Sequence, residues 1–365
     1  MLTSAFLLLA LQQTTPGSLL DRLHFDAEGR MRGEATFDNV DAATGNEIDD
    51  RYRGRFRFRF GAKYDMTEDV KIGARLSTAS DGNDANNPHW DFGDGDGFNG
   101  SQVVMDRFYV DWKAAEELNV VIGKQPNAFA TPPIYGDFVW DSDISPSGVS
   151  ATWRPDVGDG EIAFDARVAG YVATEVAADE DPKMWGVQGN VFVPLEEGKV
   201  QVSSALQDWR DNDDTAVAGN QGNSATTEDF FVWDTFVSGT VPGGPMDEIT
   251  AYLEFVTNLD ESEQGWVLGG QLGSSQWKGG NANAFALLYD LDGDAIFSPV
   301  AQDDTPVAGT GLNDGDGDGQ SGIVLGGTYW WRDNAAFKLW VLTSDPSGAD
   351  DDPIRLRFDF DFRVK

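Results

Sequence analysis

Cysteine is absent from the 365-residue chain, and histidine occurs only twice, at His24 and His89. The first absence excludes disulfide staples and thiolate metal sites, and it suits passage through an oxidising periplasm without mispairing. The second leaves too few imidazoles for a His-rich metal centre. Basic residues are scarce: 26 Lys and Arg stand against 62 Asp and Glu, a formal charge of −36. Such a balance argues against a nucleic-acid partner, which requires a basic surface. Long apolar runs are missing too. The one of note, Ala5 to Leu11, is too short to cross a bilayer as a helix but has the length of a secretory h-region. Residues 1–17 are therefore expected to be a signal peptide and 18–365 a single domain, although no Lys or Arg precedes the run. With no helical span available, membrane residence would require a closed barrel.

What the chain does have is alternation. It ends Ile354-Arg-Leu-Arg-Phe-Asp-Phe-Asp-Phe-Arg-Val364-Lys365. A strand turns successive side chains to opposite faces, so Ile354, Leu356, Phe358, Phe360, Phe362 and Val364 share one side and the ionic residues the other. Sixteen such stretches are present, near 23–37, 52–66, 70–79, 102–114, 118–125, 147–154, 162–173 and 184–194, then 199–209, 229–239, 249–259, 265–277, 283–296, 321–332, 335–344 and 354–365. No helical period competes with them. Their connections alternate in length. One series, from 67–69 to 333–334, is short. The other, which includes 38–50, 80–101, 126–146 and 297–320, is mostly long and rich in Asp, Gly, Asn and Pro, with 260–264 a short exception. The expected fold is all-β: a transmembrane antiparallel barrel of about 16 strands, with short periplasmic turns and long acidic external loops. Tyr64, Trp112, Trp153, Trp331, Phe25 and Phe337 would gather at the periplasmic interface as an aromatic girdle.

Alternation alone does not exclude a soluble sandwich, and the competing reading is a secreted, acidic, calcium-stabilised β-sandwich that binds carbohydrate. In a bilayer the orientation is forced. An Arg on the lipid face near the midplane costs about 2–4 kcal/mol, and five on one strand would exceed the roughly 5–15 kcal/mol stability of a typical domain. The arginines of 51–59 must then face a lumen. Asp106 shares the outward phase of Val104, Phe108, Val110 and Trp112, which places it either at the outer rim or at a bulge.

Three segments carry a resemblance: Met105-Asp106-Arg107-Phe108-Tyr109-Val110, Ile122-Gly123-Lys124-Gln125-Pro126-Asn127-Ala128-Phe129, and Phe138 to Gly148. With the Arg-x-Arg ladder of 51–59 and Gly73-Ala74-Arg75-Leu76, they resemble the bacterial putative porin family, similar in type to phosphate-selective porins. The resemblance covers about 22–154 and departs at Phe108, where a small residue is expected. It implies an outer-membrane channel for small hydrophilic solutes without fixing the solute. It also implies contact with outer-membrane lipid and, by analogy with other sixteen-stranded porins, a homotrimer.

Eighteen of the 26 basic residues lie between Arg22 and Lys124 or between Arg355 and Lys365. Barrel closure makes these strands one wall, so the candidate pore-lining and selectivity residues are Arg30, Arg32, Arg51, Arg53, Arg55, Arg57, Arg59, Lys63, Arg75, Arg107, Arg355 and Arg357. Such a row favours anions or merely hydrates the lumen, depending on how many carboxylates meet it. The 126–146 connection, with Trp140, Asp141 and Asp143, is either a constriction folded inward or an ordinary surface loop. Asp314, Asp316 and Asp318 open like a calcium loop, but the twelfth position is Leu325 instead of Glu, so a solvated turn competes with weak metal binding. No G-x-S-x-G, Walker or H-E-x-x-H pattern occurs. No cofactor and no enzymatic role are expected.

Overall fold

The computed structural model describes residues 19–364, apart from 42–44, 80–88, 93–101, 137, 159, 173–181, 211–228, 245, 303, 305–318 and 347–348. Asp314, Asp316, Asp318 and residues 1–17 fall outside the described residues. The chain begins with β1 (Leu23–Phe37), β2 (Arg51–Asp65), β3 (Val70–Ala79) and the two-residue β4 (Trp90–Asp91). Next come β5 (Gln102–Lys113), β6 (Leu118–Lys124), β7 (Ser147–Trp153), β8 (Ala163–Val172) and β9 (Lys183–Leu195). They are followed by β10 (Gly198–Arg210), β11 (Phe230–Pro242), β12 (Glu248–Asn258), β13 (Glu263–Leu272) and β14 (Ala282–Leu291). The last are β15 (Gln320–Arg332), β16 (Ala335–Thr343), the two-residue β17 (Asp345–Pro346) and β18 (Ile354–Val364).

Each of the sixteen long strands pairs antiparallel with its chain neighbours, and β1 pairs with β18 from Ala27↔Val364 to Phe37↔Ile354. The sheet therefore closes on itself without a free edge. Two-residue alternation decides which way each strand faces. On β18 Phe358 is 52% exposed on the outside, whereas Arg357 is 2% exposed on the inside. Phe58 and Phe60 on β2 likewise point out, and Arg55 and Arg59 point in. The stacked-sheet alternative fails on this point: among the described residues there is one sheet, and its apolar rings lie on the exterior. Trp112, Trp153, Trp331 and Phe25 are exposed on that exterior near the short turns. At the closing seam Gly29 leaves room for Phe362, whose ring would lie 2.2 Å from any Cβ at that position.

Asp106 sits in a bulge. The β3–β5 register steps from Arg75↔Arg107 to Leu76↔Met105, so Asp106 is left without an opposing residue. The extra residue turns both Asp106 and Arg107 inward while Met105 and Phe108 stay exposed. The carboxylate then bonds Arg75, and the lipid face is spared a charge.

The apolar core lies inside the barrel, toward the long-loop rim. Phe129, Ile134, Phe138, Val139, Trp140 and Ile144 from the 125–146 connection join Ala295, Ile296, Phe297 and Ala301 from the connection after β14. Together they pack on Tyr171, Trp209, Val256, Leu287, Tyr289 and Trp340 of the surrounding wall. For this reason β14 is apolar on both faces: one meets the lipid side, the other these loops.

Candidate functional site

The basic wall begins with register. Across β1 and β18, Arg30 stands opposite Asp361, Arg32 opposite Asp359 and Glu34 opposite Arg357. These pairs form: Arg30 Nε to Asp361 at 2.8 Å, Arg32 to both oxygens of Asp359 at 2.8 and 3.0 Å, and Arg357 Nε to Glu34 at 2.6 Å. Across β1 and β2 the pattern is less balanced. Arg30 faces Arg57 and Arg32 faces Arg55, with only Glu28 opposite Arg59 and Glu34 opposite Arg53. Like charges directly opposite each other destabilise a sheet, so further carboxylates are needed.

Three loops supply them. Asp91, on the short strand that pairs with β2, accepts from Arg55 Nε at 2.7 Å. Asp143, on the 125–146 connection, accepts from Arg57 Nη1 at 2.7 and 2.9 Å and from Arg59 Nη2 at 2.9 Å. Asp304, beyond β14, bonds Arg357 and lies 3.6 Å from Arg32. Burial alone would raise the Asp143 carboxyl, but Arg57, Arg59 and Arg30 outweigh it and hold the group well below the usual carboxylate range. Asp304 is likewise held low, burial being overcome by Arg357 and Arg32. His89 is buried among Arg32, Arg57 and Arg55. Burial and those charges both depress its pKa, so its ring is neutral at pH 7.

The 125–146 connection crosses the interior. Ala130 exchanges hydrogen bonds with Gln188 on β9, its N–H donating at 2.7 Å and its carbonyl accepting at 2.9 Å. Phe138 meets Tyr289 on β14, and Trp140 stacks on Trp209 of β10. Asp141 shapes the turn, its Oδ1 accepting the Asp143 N–H at 2.6 Å. The same residue ties the two inward loops together through its own N–H, which donates to the Val300 carbonyl at 2.8 Å.

Of the residues singled out from sequence, Arg30, Arg32, Arg53, Arg55, Arg57, Arg59, Arg355 and Arg357 converge on one patch of the inner wall. Arg75 adjoins it through Asp106, with which Arg59 also lies in ion-pair range at 4.0 Å. Arg107 donates from Nε to Ser145 Oγ at 2.9 Å and has no carboxylate within ion-pair distance among the described residues. Arg51 and Lys63 lie apart from the patch, exposed toward opposite ends of β2. Trp140 belongs to the apolar cluster, and within that loop it is Asp143 that reaches the arginines. Sequence reasoning missed Asp91, Asp304, His89 and the second inward loop. Its signal was the apolar run Ala295-Ile-Phe-Ser-Pro-Val-Ala301, out of place in a solvated loop.

A closed sixteen-strand barrel, apolar outside and ionic within, defines a bacterial outer-membrane channel. Residues 12–287 match the family model described as Putative porin, and the chain belongs to that family. The fold is similar to Pseudomonas putida OprB, at 10% identity over 95% of both chains and a TM-score of 0.65. It is also similar to a multiply substituted Rhodopseudomonas blastica porin, at 12% identity over 94% of this chain and 100% of that one, with a TM-score of 0.51. No curated protein matches the sequence. The protein is an outer-membrane porin through which small hydrophilic solutes diffuse.

Proposed function

We propose that the channel favours anions and that Arg107 and Arg363 are the groups that tip it. Both face the lumen, and neither has a carboxylate within ion-pair distance among the described residues. Arg107 meets a serine hydroxyl, and the Arg363 guanidinium lies 4.2 Å from the Trp277 ring centroid. The remaining arginines are largely matched by Glu28, Glu34, Asp91, Asp106, Asp143, Asp304, Asp359 and Asp361. Uncompensated guanidinium on the inner wall is therefore the observation that carries the reading. A low-dielectric wall focuses such a field into the water path. The outer face, lined by Phe358, Leu356 and Met31, would meet lipid. Reversal potential in a KCl gradient tests the proposal. Chloride preference is expected, weakened in Arg107→Gln; cation preference in the wild type would overturn it.

A further inference from the structure

A tryptophan at the rim of a membrane barrel is expected on the lipid side, where Trp112, Trp153 and Trp331 lie exposed. Trp277 sits at the short-turn rim too, but on the water side. It belongs to the turn 273–281 between β13 and β14, which is much longer than the neighbouring β15–β16 turn at 333–334. The Arg363 guanidinium lies 4.2 Å from the Trp277 ring centroid, and Arg363 shares the inward phase of Arg357, Asp359 and Asp361 on β18. The same ring lines a cavity of about 360 Å³ whose other walls include Arg30 on β1, Arg75 on β3 and Lys338 on β16. Trp277 therefore stands inside the barrel, carried past β15 and β16 from its own strands to β18.

The turn is built to hold the ring there. Gly273 and Gly280, at φ +86° and +90°, supply left-handed backbone that other residues adopt only with strain. At the base, Ser275 Oγ accepts from Gln271 Nε2 at 3.0 Å and from Asn283 Nδ2 at 3.2 Å, which ties the turn to both of its strands. Asn281 Nδ2 donates to the Gln276 carbonyl at 3.2 Å and braces the residue before the tryptophan. The Gly279 N–H donates to Asp333 Oδ1 at 2.7 Å, which pins the turn to the next one along the rim. Glycine suits that docking, since a Cβ at Gly279 would lie 3.3 Å from the Arg332 Cα. The guanidinium against the indole ring then holds the tip by attraction to its π face.

We infer that Trp277 sets the size limit for solutes at the short-turn end of the channel. The apolar loops carrying Trp140 and Phe297 narrow the lumen toward the long-loop rim, so a solute meets two constrictions in series. The second is a flat apolar plate on a hydrogen-bonded turn, and it discriminates by cross-section instead of charge. This role does not depend on the sign of ion selectivity.

Polymer exclusion tests it. Neutral polyethylene glycols of graded size are added to one side of a planar bilayer holding the full-length channel, and then to the other. The smallest polymer that no longer lowers conductance gives the size cut-off of each entrance. In Trp277→Ala the cut-off from the short-turn side should shift to larger polymers and single-channel conductance should rise, while the cut-off from the long-loop side stays where it was. Trp277→Phe, which keeps a smaller ring, should fall between wild type and Trp277→Ala. Barrel folding is checked by heat-modifiable migration, and Trp277→Phe carries the test if Trp277→Ala fails to fold. An unchanged short-turn cut-off in a folded variant overturns the proposal. So does an equal shift from both sides, which would mean that the substitution loosened the whole barrel.

Discussion

Asp143→Asn deletes one charge at the point where the 125–146 loop meets Arg57 and Arg59, while keeping the side chain's shape. The deletion should make the channel more anion-selective. An ion passing about 8 Å from the carboxylate feels roughly 0.5 kcal/mol in a water-like medium and about 2 kcal/mol at an effective dielectric constant near 20. Screening over a Debye length of about 10 Å at 0.1 M salt roughly halves the lower figure. Anions and cations shift in opposite directions, so the chloride-to-potassium permeability ratio should rise at least about twofold. The loop should also loosen from the wall. Removing one partner of a buried ion pair costs about 3–5 kcal/mol, an upper bound here because Glu28 remains 3.2 Å from Arg59. Reversal potentials in a KCl gradient give the ratio directly. An unchanged ratio, in a variant that keeps the heat-modifiable migration of a folded barrel, would refute the placement of this loop in the ion path.

Trp140→Ala removes the ring stacked on Trp209 and near Tyr171. Loss of a buried Trp costs about 3–5 kcal/mol, so the melting temperature should fall and single-channel conductance rise; no change in either would count against a packed interior. The pH response follows from Asp143, whose folded-state pKa lies below its unfolded value of 3.8. Its contribution is therefore fully present above about pH 4 and is lost only as pH falls further, through the folded-state value. The difference in reversal potential between wild type and Asp143→Asn should accordingly persist from about pH 7 to about pH 5. A difference that disappears by pH 5 would mean a carboxyl raised above its ordinary value and would refute the lowering by Arg57 and Arg59.

The barrel was legible because its signal is local. Alternation assigns each side chain to lipid or lumen over a few residues, and most strand ends fall within two positions of the pattern. Where pattern failed, the deciding contact was distant in sequence. Asp106 disobeys its own strand's phase because Arg75, 31 residues earlier, draws it inward across a bulge. Strand β14 ends earlier than its apolar stretch suggests, since Ala295, Ile296 and Phe297 continue into the interior and are apolar for that reason. Asp91 and Asp304 carried no mark among 62 acidic residues. What distinguishes them is the arginine they reach, and the tertiary fold alone determines that.

The seam between β1 and β18 joins the two ends of the polypeptide, and its charges work as a key for the final joining step. In the native alignment Arg30, Arg32 and Glu34 each face an opposite charge. Sliding β18 by two residues would keep every phenylalanine outside, so greasiness alone could not detect the error. The slip would, however, set Arg32 against Arg357 in one direction and Glu34 against Asp359 in the other. Closure in a wrong frame is thus penalised by repulsion at the last strand to be made, and the cylinder can proofread its own circumference.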